Sequence, residues 1–198
     1  GAVRFVVDEP DVTMIMVNTS YVRIENLTFD GSASKERDMG KIGGIRIKHI
    51  GYQYREIREI LIRSCTFEHL YCGFSSPEWL TNSTITENLF INNSFSLQLA
   101  GGRGLVKISY NSIFDGFISI EKGHKTMFVI HNNTLHGCRI LASAAGTYGV
   151  YVYDSEFSQS YYGGSGYEHS ELARNRFVQS KVGGVTNFVN NTMIDSRG

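Results

Sequence analysis

The sequence predicts an all-β chain folded as a right-handed parallel β-helix, a solenoid of about eight or nine coils with roughly 22 residues each. Two observations carry this prediction. Pairs of apolar residues five positions apart recur along the chain, and asparagine recurs at one fixed position inside these pairs. No coil of this size can bury its apolar stripe alone, so stacking must bury all the stripes in a continuous core.

The apolar pairs define the repeat. Their first members lie 38, 23, 23, 22, 22, 20 and 16 residues apart, so the middle of the chain repeats at about 22 residues. The residue two positions before each pair is mostly β-branched or apolar, which indicates a short strand with period two. The pairs are Ile24/Phe29, Ile62/Phe67, Ile85/Phe90, Ile108/Ile113, Ile130/Leu135, Val152/Phe157, Leu172/Phe177 and Phe188/Met193.

Asparagine marks a turn inside each pair. Three residues after the first member stand Leu27, Cys65, Asn88, Asn111, Asn133, Ser155, Asn175 and Asn191, of which five are asparagine. An asparagine amide can bond turn backbone groups, and amides stacked in register can bond from coil to coil. A second strand follows, with inward positions expected five and seven residues beyond each pair. An antiparallel sandwich is the alternative, but its strands have no reason to place asparagine at one phase.

Composition narrows the classes of partner. The 19 basic and 19 acidic residues balance, which argues against nucleic acid and against an anionic membrane surface. No apolar stretch approaches the length of a membrane span. The three cysteines, at positions 65, 72 and 138, have no metal-like spacing and form no disulfide framework. We expect no metal and no cofactor.

We interpret residues 1–198 as a single β-helix domain. Because Gly1 is not a start methionine, we expect this domain to be an excised or processed part of a longer chain. Residues 30–59 form a long loop insertion in which Ile45 and Ile47 indicate one coil strand. Most of the Asn-x-Ser/Thr triplets, which begin at residues 18, 26, 82, 92, 132 and 190, are interpreted as turn chemistry.

The units "ITENLFINN", "ISYNSIFDG", "IHNNTLHGC", "LARNRFVQS" and "FVNNTMIDS" resemble repeats of the pectate-lyase-like parallel β-helix superfamily. That superfamily includes polysaccharide lyases, polygalacturonases and phage tailspikes. The resemblance implies a secreted or virion-surface protein that handles polysaccharide. The polygalacturonase motifs do not carry over, because Arg46-Ile47-Lys48 and Gly123-His124-Lys125 stand in the opposite order, and both are treated as chance matches.

Chemistry is expected on the outward positions of the second strand and on the loops that follow it. Gln98, Glu121 and Ser143 are expected to line up from coil to coil, at about the 4.8 Å strand spacing. Exposed aromatic rings beside such a row would stack on sugar rings. The predicted substrate-binding residues are Trp79, Gln98, Ser119, Ser143, Tyr148 and Tyr167.

Catalysis is left open by the sequence. A lyase acting on uronic acids needs a cation and a base, and a hydrolase needs two carboxylates. Glu121 with Glu78 is the carboxylate pair to test, and the candidate catalytic residues are Glu121, Lys122, His124, Arg103 and Glu78. Two hypotheses remain: a polysaccharide-binding or polysaccharide-degrading protein, and a structural or adhesive module of a fibre, for which a homotrimer is expected.

Overall fold

Three parallel faces built from short strands run the length of the molecule in the computed structural model, which describes residues 3–7, 9, 11–32, 42–48, 56–123, 125–145, 149–164 and 169–198. Among these residues there are 24 strands, all of whose pairings are parallel, and no helix. None of the described residues therefore forms an apolar helix that could cross a bilayer.

Face 1 is a sheet of eight stacked strands, one per coil. These strands are β3 (Arg23–Glu25), β7 (Leu61–Arg63), β10 (Ser83–Thr86), β13 (Gly104–Ser109), β15 (Thr126–His131), β17 (Gly149–Tyr153), β20 (Ser170–Ala173) and β23 (Asn187–Val189). The intervals between eight strands correspond to about seven turns of about 22 residues. The predicted solenoid is confirmed, with slightly fewer turns than the eight or nine expected.

Faces 2 and 3 belong to one continuous sheet that bends between them. Face 2 contains β1 (Val3–Val6), β4 (Leu27–Asp30), β8 (Thr66–Glu68), β11 (Leu89–Ile91), β18 (Glu156–Ser158), β21 (Arg176–Val178) and β24 (Thr192–Ile194). Face 3 contains β2 (Thr13–Val17), β5 (Gly43–Ile47), β6 (Ile57–Arg58), β9 (Cys72–Thr81), β12 (Phe95–Gly101), β19 (Tyr161–Gly164) and β22 (Lys181–Gly183). The long strands β14 (Ser112–Gly123) and β16 (Thr134–Ala145) cross both faces.

The core is a set of apolar rows that run from coil to coil. In the first row on face 2, the rings of Phe5, Phe29, Phe67 and Phe90 stack at centroid distances of 5.4, 4.9 and 4.8 Å. Inside face 1, isoleucines, valines and leucines of neighbouring coils pair in register and are buried. Burial of these stripes is the main favourable contribution to folding, as the repeat predicted.

The asparagine corner joins face 1 to face 2 and consists of Cys65, Asn88, Asn111, Asn133, Ser155, Asn175 and Asn191. Each corner residue from Cys65 to Asn175 donates its backbone N–H to the side-chain oxygen of the corner residue in the next coil, at 2.8 to 3.2 Å. The left-handed backbone lies one residue earlier, for example at Asn132 with φ of 54°. The predicted amide stack is confirmed, while the amide donor and the left-handed residue are two different positions.

The serine corner joins face 2 to face 3 and consists of Leu70, Asn93, Gly116, Cys138, Ser160, Ser180 and Ser196. Its backbone N–H groups donate to the hydroxyls of Ser160, Ser180 and Ser196 at 3.2, 3.1 and 2.9 Å. Gly116 offers no side chain, and a Cβ there would lie 2.6 Å from the Ser96 hydroxyl oxygen. The serine corner therefore has fewer side-chain hydrogen bonds between coils than the asparagine corner, and its side chains fill less space.

Candidate functional site

Face 3 carries the outward positions where the sequence predicted chemistry. Its strand register places Arg46, Ser75, Gln98, Ser119, Leu141 and Gly163 side by side, one per coil. A second outward row runs Phe95, Phe117, Arg139, Tyr161, Lys181 and Arg197, with Tyr71 packed edge-on against Phe95 at 5.6 Å. Both rows face solvent on the same surface.

The predicted alignment of Gln98, Glu121 and Ser143 is wrong. Gln98 lies opposite Ser119, and Glu121 comes two residues later on the same strand. The cause is chain length: Phe90 and Leu97 are seven residues apart, whereas Ile113 and Ile118, which occupy the same rows, are five apart.

The same insertion changes which residues point outward. A register shift after Phe95 leaves Ser96 fully buried, although Ser96 and Gly73, which is also buried, fall between the inward positions expected five and seven residues beyond each pair. Phe95, predicted to point into the core, is instead half-exposed and pairs with Phe117. A bulge shifts the side chains that follow it by one position until a second shift restores the pairing, here after Leu99, and the regular repeat count does not locate it.

Gln98, Ser119 and Glu121 are nevertheless brought together. The Gln98 Nε2 donates to Glu121 Oε1 at 2.9 Å, and the Ser119 hydroxyl donates to the same oxygen at 3.3 Å. An open depression of about 270 Å³ beside them is lined in part by Arg46, Tyr71, Ser75 and Gln98. A carboxylate held by two donors can bind hydroxyl groups or move a proton.

The other predicted residues are placed less centrally or are not described. Arg103 lies between β12 and β13, where its Nε is 3.7 Å from Glu56 Oε1, away from Glu121 on the strand. Trp79 is half-buried near the next coil, and a Cβ at Gly102 would lie 2.8 Å from the Trp79 Cβ. The side chains of Glu78, Lys122 and Ser143, and the whole of His124, Tyr148 and Tyr167, lie outside the described part of the structure.

Sequence reasoning missed a cationic strip, defined here as Arg139, Tyr161, Lys181 and Arg197. The four residues follow one another in register over consecutive coils, at about the 4.8 Å strand spacing. Arg139, Lys181 and Arg197 are exposed, and an open concavity of about 460 Å³ lies along all four. Each of the four stands four residues after the second member of its apolar pair, so the regular count along the sequence could have found this row.

Tyr161 forms an aromatic platform within the cationic strip. A Cβ built on Gly163 would lie only 2.6 to 2.8 Å from the Tyr161 hydroxyl and ring atoms, so the ring lies over this glycine along the sheet. The next residue in the row is Gly183, and a Cβ there would meet no atom within 4 Å. The half-exposed Tyr161 ring therefore lies beside an uncovered part of the sheet surface, with a cation on each side.

The buried thiols contribute no nucleophile to this surface. Burial raises the pKa of the Cys72 thiol to about 12 and that of the Cys138 thiol to about 12, so both are protonated at neutral pH. Cys65 is also buried, and burial raises its pKa too. All three cysteines are free thiols, as the sequence predicted. Among the described residues no three histidine, cysteine or acidic side chains cluster as a metal site.

The chain belongs to the right-handed β-helix family. A family model described as a right-handed β-helix region matches residues 13–193, which is most of the chain. No curated protein matches the sequence. The family assignment accounts for the fold, and the chemistry must be argued from the surface itself, because one fold can host many functions.

Proposed function

We propose that this protein binds an acidic polysaccharide along face 3, with the cationic strip as its main contact. The observation that carries the proposal is the Tyr161 ring, which lies over Gly163 between Arg139 and Lys181. Sugar rings present C–H groups that pack on a flat aromatic face. The flanking cations would attract carboxylate or sulfate groups carried by the same polymer.

The shape of the surface supports an extended ligand. The two outward rows run across consecutive coils from Arg46 to Arg197, so a polymer could contact several coils at once. Amide, hydroxyl and carboxylate groups of Gln98, Ser119 and Glu121 lie in the middle, where sugar hydroxyls would find both donors and acceptors. Because its proposed partner is a polysaccharide, we also propose that the protein acts outside the cell or on a virion surface.

Binding is tested by electrophoresis in native gels that contain polygalacturonate or alginate. Tyr161→Ala should weaken retention about tenfold, since loss of an aromatic stacking partner removes 0.5–1.5 kcal/mol beyond area burial. Replacement of both Arg139 and Lys181 by alanine should weaken binding and reduce its dependence on salt concentration, because screening acts on exposed charges.

Arg176→Ala provides a control for the single variant Arg139→Ala, because each removes one positive charge. Arg176 is exposed on face 2, where its Nη1 lies 2.6 Å from Glu156 Oε1, outside the cationic strip. This variant should bind as the unmodified protein does. Equal losses in Arg176→Ala and in Arg139→Ala would show that net charge, rather than the strip, governs retention and would overturn the assignment of the site.

Cleavage of the polymer is tested with the same substrates. Release of unsaturated products would indicate a lyase, and release of reducing ends alone would indicate a hydrolase. If either appears, Glu121→Gln should abolish it, because Glu121 is the described carboxylate held at the centre of face 3. Absence of binding to every polysaccharide, together with a trimer in light scattering, would favour a structural fibre module.

A further inference from the structure

Face 1 lies on a different side of the solenoid from face 3 and presents a pair of aromatic rings. Tyr151 and Tyr153 are both outward on β17, with ring centroids 6.2 Å apart and planes inclined by 29°. Both side chains are half-exposed. The two nearly parallel rings form one surface, here called the tyrosine platform.

A glycine holds the first ring against the sheet. A Cβ built on Gly149 would lie 2.7 Å from Tyr151 Cε2 and 3.0 Å from its Cζ. The ring therefore occupies the space above Gly149, in the same way that Tyr161 occupies the space above Gly163 on face 3.

Polar contacts from the next coil hold the second ring. The Tyr153 hydroxyl hydrogen-bonds the Glu171 carboxylate, which also accepts from Asn187 Nδ2 at 2.9 Å. Burial, followed by the negative charge of Glu171, raises the pKa of the Tyr153 hydroxyl, so it stays a neutral donor at physiological pH. The Arg174 guanidinium carbon lies 5.5 Å from the Tyr153 ring centroid.

The platform carries no surplus positive charge. Arg174 donates to both carboxylate oxygens of Asp154 at 2.8 Å, so these two charges cancel, whereas the Glu171 carboxylate receives only the two neutral donors just described and keeps its negative charge. The cationic strip, in contrast, presents three cations. A ligand without charge meets no electrostatic opposition at the platform, while a polyanion is repelled by Glu171.

We propose that the tyrosine platform is a second carbohydrate-binding site, and that it takes uncharged sugar units. Two successive rings fixed on the sheet suit stacking of two neighbouring sugars, since aromatic side chains pair an apolar face with a polar edge. The Glu171 carboxylate and the Asn187 amide lie beside the rings, where they can meet sugar hydroxyls. The platform and the cationic strip would contact different polymers, or different parts of one heteropolymer.

The test uses the full chain in native gels that contain galactomannan, xyloglucan or arabinoxylan, and in parallel gels with polygalacturonate. Retention by at least one neutral polysaccharide is expected. Tyr151→Ala should reduce that retention about fivefold or more, whereas Tyr151→Phe should keep it, because the ring face is the proposed contact. Tyr21→Ala removes a ring that is 70% exposed before β3, several coils away from β17, and should leave neutral-glycan binding unchanged.

A second variant protects the test against misfolding. Tyr153→Phe removes only the hydroxyl bonded to Glu171, and it should weaken neutral-glycan retention about twofold by releasing the second ring. Tyr161→Ala on face 3 should leave neutral-glycan retention unchanged, which separates this inference from the proposed function. The inference fails if no neutral polysaccharide is retained, if Tyr151→Ala binds normally, or if Tyr151→Ala instead abolishes self-association seen by light scattering.

Discussion

The asparagine corner and the serine corner solve the same geometric problem with different side chains. Both bend the chain after a residue with positive φ, and both leave backbone N–H groups that must find acceptors in the next coil. In the asparagine corner one Oδ1 accepts from two donors: Asn133 Oδ1 accepts from the backbone N at 2.9 Å and from the Nδ2 of Asn111 at 3.0 Å.

The serine corner makes fewer bonds and leaves more space. Each hydroxyl accepts one backbone N–H from the previous coil and donates to a carbonyl, as Ser160 does to Ser158 O at 2.7 Å. Its small side chains border the concavity that follows the cationic strip, which is lined in part by Cys138, Ser160 and Ser180. The comparison teaches that the corner beneath the candidate site is built from small residues, and the opposite corner supplies more of the coil-to-coil hydrogen bonding.

The largest expected effect is that of Asn111→Ala. This change orphans two buried donors of Asn88, its backbone N and its Nδ2, and also removes the amide that bonds Ile85 O and Asn133. At about 1–3 kcal/mol for each buried group left unsatisfied, the free energy of unfolding should fall by about 4 kcal/mol. Urea denaturation followed by circular dichroism measures it, and Lys107→Ala on exposed face 1 should stay within about 0.5 kcal/mol of the unmodified protein.

Ser160→Ala should be the milder change at the other corner. It removes the acceptor of one buried donor, the Cys138 N–H, so the free energy of unfolding should fall by about 1–2 kcal/mol. Polysaccharide retention should also fall, because Ser160 lines the concavity between Arg139 and Lys181. A loss of stability as large as that of Asn111→Ala would show that the two corners do not differ as argued.

Ser155→Asn should sharpen the comparison in the opposite direction. Ser155 is the one serine of the asparagine corner, and its hydroxyl accepts only the Asn133 backbone N–H, at 3.2 Å. An asparagine could accept from the Asn133 amide as well, which should raise the free energy of unfolding by about 1 kcal/mol. The midpoint of thermal unfolding should rise accordingly, and a lower midpoint would mean that the larger side chain overpacks the corner.

The smallest effect concerns acid stability at Asp30, whose carboxylate accepts hydrogen bonds from both the backbone N–H and the hydroxyl of Ser32. Burial acts to raise the pKa of Asp30, but the hydrogen bonds and charge of Arg4, with those of Ser32, hold it below its usual value. A lowered native pKa contributes stability above the unfolded pKa, near 3.9, and that stability is lost as pH falls through the native pKa.

Asp30→Asn should therefore lower stability at pH 7 but make little difference at pH 2. Thermal unfolding at both pH values measures the contrast, with Asp154→Asn as a comparison in an exposed ion pair with Arg174. The two unfolding curves of Asp30→Asn and the unmodified protein should converge in acid. A difference that persists unchanged at pH 2 would contradict a role for the ionised carboxylate.

The sequence by itself determined the fold class, the period and the inward rows of faces 1 and 2, because these depend on apolar periodicity and on asparagine at a fixed turn position. Ile62, Phe67 and Asn88 could be assigned to their rows without coordinates, and the structure confirms each assignment. The same pattern identified Gln98, Ser119 and Glu121 as members of one surface, although not their register.

Only the tertiary structure decided which outward side chains meet. Two additional residues in the coils of Phe74 and Leu97 shift face 3 within those coils, bury Ser96 and place Gln98 opposite Ser119. Inward positions tolerate only apolar residues and so are recognisable from sequence, whereas outward positions accept nearly any residue. The physical reason is that register on a solenoid is set by packing between coils, and a bulge reassigns the side chains that follow it until the next register shift.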